Sequence, residues 1–139
     1  MPSPEILKDL LERVRKAEGP DRVIDADVCI ALEPGASSAS TGYPHTYRTG
    51  RVEPVHGRAI FCDTPDLTNS LDACLSLLGE LGFGWRKPNG SNNVAVWDMD
   101  QVSGSFYEEI GDCPTVPLSL LMAALKLQLR KEASREAVA

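Results

Sequence analysis

Between Tyr43 and Arg58 the sequence YPHTYRTGRVEPVHGR gathers three arginines, both histidines and two of the three tyrosines of the chain against a single acid, Glu53. A guanidinium presents a planar fork of N–H donors that meets phosphate oxygens two at a time, and a phenol ring offers a flat face for stacking. Tyr43, His45, Tyr47, Arg48, Arg51, His56 and Arg58 are therefore the candidate ligand-binding residues. They suit a phosphorylated small molecule, a nucleotide or an acidic protein surface. The competing reading is a surface loop whose arginines are simply solvated.

Carboxylates supply the second constellation. Alternate positions on a strand face the same way, so Asp98 and Asp100 can jointly hold a hard cation such as Mg²⁺ or Ca²⁺, with Glu108, Glu109 and Asp112 close enough in sequence to share the sheet edge. A small metal-dependent hydrolase is the enzyme reading of that cluster, and solvated turn residues are the plainer one. Asp25 and Asp27 flank Ala26 in an apolar segment. Helical positions two apart do not face each other, which makes them two separate polar positions, capping or pairing with Arg22.

Cys62 is the candidate for an exposed, nucleophilic thiol, whereas Cys29 and Cys74 lie among apolar neighbours and read as reduced, buried and inert. The cysteines are too widely spaced for the CxxC pairs of a zinc ribbon. Neither a G-x-S-x-G elbow, a Walker loop, a G-x-G-x-x-G after a strand nor an H-E-x-x-H is present. No catalytic residue, metal ligand or cofactor is assigned, and the missing motifs weigh against an enzyme without deciding the matter.

The elements that must position these residues follow from periodicity. Ser3 caps and Pro4 opens a first helix in which Ile6, Leu7, Leu10, Leu11, Val14 and Ala17 recur at helical spacing, and Gly19-Pro20 stops it. DRVIDADVCIAL fits both strand alternation and a helical face. Pro20 followed by Asp21 favours a helix. Residues 34–54 are rich in Ser, Gly, Thr and Pro with no period over roughly twenty residues, the signature of a mobile or functional loop.

RAIFCD, 58–63, reads as a strand. Residues 67–81 read as a helix with Leu67, Leu71, Cys74, Leu75, Leu78 and Leu81 on one face, capped by Asp66 or Thr68. Phe83 and Trp85, the turn PNGSNN, and Val94 and Val96 spell an antiparallel hairpin, with SFYEEI, 105–110, as a third strand. Thr115 caps a long helix with Leu118, Leu121, Met122, Leu125 and Leu129 on one stripe, broadened by Leu120, Ala124 and Leu127. A helix so apolar is buried between layers or serves self-association. The predicted class is α+β, an antiparallel three- to four-stranded sheet packed with helices as an α/β/α sandwich.

At 139 residues the chain fits one domain, 1–139, large enough for one core without a disulfide or metal staple. A net charge of −6 argues against nonspecific nucleic-acid binding, which needs a cationic face. No apolar run approaches the ~20 residues of a membrane helix. The charged, amphipathic start MPSPEILKDLLERVRK is unlike a secretory signal, so the expected location is the cytoplasm.

GPDRVIDADVCIAL, LTNSLDACLSLL, the FGWRK and NVAVWD hairpin strands and CPTVPLSLLMAALKLQ together resemble the small phage and prophage proteins built on the phage alpha-beta-alpha sandwich domain. The resemblance covers 5–33 and 65–131. It implies the fold and a phage context, with the cytoplasm of a bacterial host as the setting. It implies no catalytic residues. The function expected is a non-enzymatic accessory protein acting by binding, in counter-defence by sequestering an anionic nucleotide signal or blocking a host defence protein. The alternatives are a structural protein that forms a homo-oligomer through its C-terminal helix, and the hydrolase at Asp98 and Asp100.

Overall fold

The computed structural model describes residues 4–32, 36–42, 46–52, 59–87, 92–99, 104 and 106–138. Helix α1 spans Pro4–Lys16 and buries Leu7, Leu10 and Val14, spaced at three and four residues. Helix α2 spans Arg22–Leu32. Asp21 decides the ambiguity of that segment: its carboxylate accepts the N–H groups of Val23 at 2.9 Å and Ile24 at 3.2 Å, a helix cap that a strand would not provide.

Helix α3 spans Leu71–Leu81 and is capped by Ser70, whose hydroxyl accepts from the Ala73 N–H at 3.2 Å. The expected start at 67 and the expected caps Asp66 or Thr68 are displaced. Asp66 instead closes a separate turn, its carbonyl accepting from Ser70 N–H at 2.8 Å, and Leu67 fills the core from that turn. Gly82, with φ of 76°, ends α3 in the left-handed conformation that favours glycine. Helix α4 spans Val116–Val138, and Thr115 caps it by accepting from Leu118 N–H at 3.4 Å. It outruns the apolar stripe because the residues after Leu129 are good helix formers that need no core.

Among the described residues six strands form two antiparallel sheets. The first joins β1 (Ala36–Gly42), β2 (Thr46–Val52) and β3 (Ala59–Asp63) in that order; the second joins β4 (Gly84–Arg86), β5 (Val94–Met99) and β6 (Phe106–Gly111). The second sheet is the expected hairpin with its third strand, and with the helices it gives the α+β class. The first sheet departs from the loop that the composition of 34–54 predicts, because 36–42 and 46–52 are strands. Small hydroxyl residues in ASSASTG carry no apolar alternation. A continuous backbone ladder from Ser38 opposite Gly50 to Gly42 opposite Thr46 makes the strand, and only an irregularity between Ala36 and Ser38 interrupts the pairing.

The core is centred on α4. Leu118 and Leu120 through Leu125, with Leu127, are buried together with Leu7, Leu10 and Val14 of α1, Leu77 and Leu78 of α3, and Val94 and Val96 of β5. β5 and β6 cover one side of α4 while α1 and α3 pack elsewhere on its surface, which is why its sequence is apolar nearly all round over that stretch. Leu121 and Leu125, central to that stripe, are 2% and 0% exposed and serve the core of the chain itself. β1 and β2 pack on α2. No described helix is long and apolar enough to cross a membrane.

Candidate functional site

The cationic segment is a strand over its described part. Tyr47, Arg48 and Arg51 all lie on β2, the central strand of the first sheet. Tyr47 stands opposite Thr41 of β1; Arg48 is flanked by Ser40 and Asp63; Arg51 is flanked by Ala36 and Ile60. On a two-residue repeat positions 47 and 51 fall on one face and 48 on the other, so the two arginines do not share a face. Tyr43, His45, His56 and Arg58 lie outside the described residues.

The second sheet places its carboxylates against cations of the same chain. Lys131 of α4 donates to Asp98 at 2.6 Å in a pair largely withdrawn from solvent, and its ammonium lies 5.3 Å from the Phe83 ring centroid. Arg130 pairs with Glu109 at 3.5 Å and stacks 5.4 Å from the Tyr107 ring, while Arg86 reaches Glu108 at 3.4 Å. The Lys131 and Arg130 contacts bind the polar end of α4 to the sheet, and the Arg86 pair links β4 to β6. They also pair Asp98, Glu108 and Glu109, three carboxylates of the hard-cation reading, with cations of the same chain. Asp100 lies outside the described residues, and among those described no group of three or more His, Cys, Asp or Glu could hold a metal.

Asp25 and Asp27 are separate, as helical spacing requires. Asp27 pairs with Arg13 of α1 at 2.7 Å. Asp25 is fully buried; one carboxylate oxygen accepts the Thr68 N–H at 2.6 Å and the other accepts from Arg22 at 3.0 Å. The same guanidinium donates to the carbonyls of Thr64 at 2.8 Å and Pro65 at 3.4 Å, and the Thr68 hydroxyl accepts from Asp21 N–H at 2.7 Å. Together they staple the start of α2 to the turn between β3 and α3. Burial pushes the Asp25 carboxyl above its ordinary range, against the opposing pull of the Thr68 bonds and of Arg22.

The thiols follow the same logic. Cys74 donates to the Leu67 carbonyl at 2.9 Å, and burial, with the charges of Asp25 and Asp66, pushes its thiol up to about 12. Burial also raises Cys113, next to Asp112. Cys29, Cys74 and Cys113 are buried, which makes them packing residues. Cys62 lies on β3 opposite Thr49.

One feature escaped the sequence. The described surface has an open groove of about 350 Å³ between α3 and the Pro65–Leu67 segment, rimmed by Asp72, Ser76 and Glu80. These lie at i, i+4 and i+8, the stripe that a helix shows to solvent when its other side is core, so the pattern alone reads as surface. No family model, curated protein or solved structure matches the chain.

Proposed function

We propose that this chain is a non-enzymatic binding protein of phage or prophage origin that captures an anionic partner along β2, foremost an anionic nucleotide signal of a bacterial defence system. The observation supporting this reading is that Arg48 and Arg51 sit on a central strand in register with both neighbours, with Tyr47 beside them opposite Thr41 of β1. A strand held on both edges fixes the spacing of its residues, and a preorganised cation loses less entropy on binding than one on a free loop. An aromatic ring and a guanidinium at positions 47 and 51, on one face, combine stacking with bidentate phosphate recognition. The phage context rests on the resemblance of the helical and hairpin segments to phage sandwich proteins. Blocking a host defence protein would use the same strand against an acidic surface.

A thermal-shift series with cyclic mono- and dinucleotides tests the proposal. At least one nucleotide raises the melting temperature. Because positions 48 and 51 fall on opposite faces, Arg51→Ala removes the shift and Arg48→Ala leaves most of it. A chain indifferent to every nucleotide, or a shift that survives both substitutions, would refute the reading.

A further inference from the structure

We propose that the groove beside α3 binds a linear aliphatic polyamine, a site of opposite sign to β2 and independent of it. Its floor is apolar, formed by Pro65, Leu67, Ala73 and Leu77, with Leu67 and Leu77 only 1% and 5% exposed. Its rim is acidic and hydroxylic, with Asp72 at one end, Glu80 at the other and Ser76 between them. Neither carboxylate has an ion-pair partner among the described residues, in contrast to Asp25, Asp27, Asp98, Glu108 and Glu109. The groove lining contains no cation.

The spacing selects the ligand. Eight helical residues separate Asp72 from Glu80, about 12 Å along the axis, and Ser76 lies midway at about 6 Å. All three project from one helix face. An extended triamine of spermidine's length brings its terminal ammonium groups to the two carboxylates. Its methylene segments lie over Ala73 and Leu77, and its central nitrogen passes the Ser76 hydroxyl, a hydrogen-bond acceptor. The net charge of −6 carried by the chain further favours a cation. The groove volume falls within the range of small-molecule sites and is too small to seat a whole helix of a partner protein.

Isothermal titration of the full chain with spermidine, putrescine and Mg²⁺ at physiological salt tests the proposal. Spermidine binds at one site and more tightly than the shorter diamine, which cannot reach both carboxylates. Asp72→Asn and Glu80→Gln each weaken it about five-fold, the size expected of one partly exposed charge pair, and the double variant abolishes it. Both side chains are exposed, so the variants remain folded. Arg51→Ala leaves spermidine binding unchanged, which separates this site from β2. Absence of spermidine binding overturns the proposal. Equal binding by the double variant, or equal affinity for Mg²⁺ and putrescine, also overturns it, because either would mark general attraction of polycations to an acidic chain.

Discussion

Asp25 is the residue whose burial is hardest to explain by packing alone. A carboxylate removed from water costs several kcal/mol unless its lone pairs are met, and here an N–H and a guanidinium meet them. Its folded-state carboxyl lies above the ordinary 3.8, so the folded chain holds the proton more tightly than the unfolded one. The sign follows from linkage: this contribution to stability is fully present below 3.8 and is lost as pH rises through the folded value, the reverse of an exposed salt-bridged aspartate. Asp25→Asn removes the titration. The stability difference between wild type and variant, measured by urea unfolding from pH 3.5 upward, therefore favours wild type most at the acidic end and narrows as pH rises. A difference that widens in the wild type's favour would show that Arg22 and Thr68 overcome the burial. Lysine or alanine at position 25 would strand the Thr68 N–H and is a harsher change, worth about 3 kcal/mol.

At the scale of elements, two glycines make opposite predictions from one physical rule. Gly111 ends β6 where the strand meets the first turn of α4, and a Cβ there would run into the Ser119 carbonyl. Backbone on both sides cannot yield as a side-chain tip can, so Gly111→Ala costs about 3 kcal/mol. Gly79 lies within α3 with open space around it. Gly79→Ala relieves the entropic cost of a helical glycine and raises stability by up to about 1 kcal/mol. Chemical denaturation of the pair checks both, and a neutral Gly111→Ala would show that the sheet and α4 are not in such close contact. The elements legible in the sequence were those whose signals are local or periodic: Pro4 opening α1, Thr115 capping α4, and the alternation of Val94 and Val96 in β5. β1 was illegible because Ser, Ala and Thr have no apolar period, and β2 because its arginines, tyrosine and glycine read as loop composition. The start of α3 was misplaced because Leu67 continues the apolar stripe while belonging to a turn. As for the candidate site, the residue types were visible in the sequence, but their division between two faces of β2 required knowing that they form a strand. The groove stayed hidden because its floor combines Ala73 and Leu77 of α3 with Pro65 and Leu67 of the preceding turn, which do not follow the helical period.

For the whole molecule, the two sheets attach to the helical core in different ways. The second sheet lies directly on α4, the most buried element, and is tied to it by Asp98–Lys131, Glu109–Arg130 and the close approach at Gly111. The first sheet packs on α2 through β1 and β2, and the exit of β3 is stapled to α2 by Arg22, Asp25 and Thr68. Opening free energies scale with the buried contacts that must be broken, so the molecule is expected to open in two cooperative units of unequal stability. Native-state hydrogen exchange should find α4 and β5 amides released only by global unfolding, while those of β1 and β2 exchange through a smaller opening that leaves α4 intact. Asp25→Asn loosens the staple and lowers that smaller opening energy more than the global one. If the amides of both sheets exchange with one common free energy, the staple would instead make the chain a single cooperative unit, and β2 would be as rigid a platform for a ligand as the core itself.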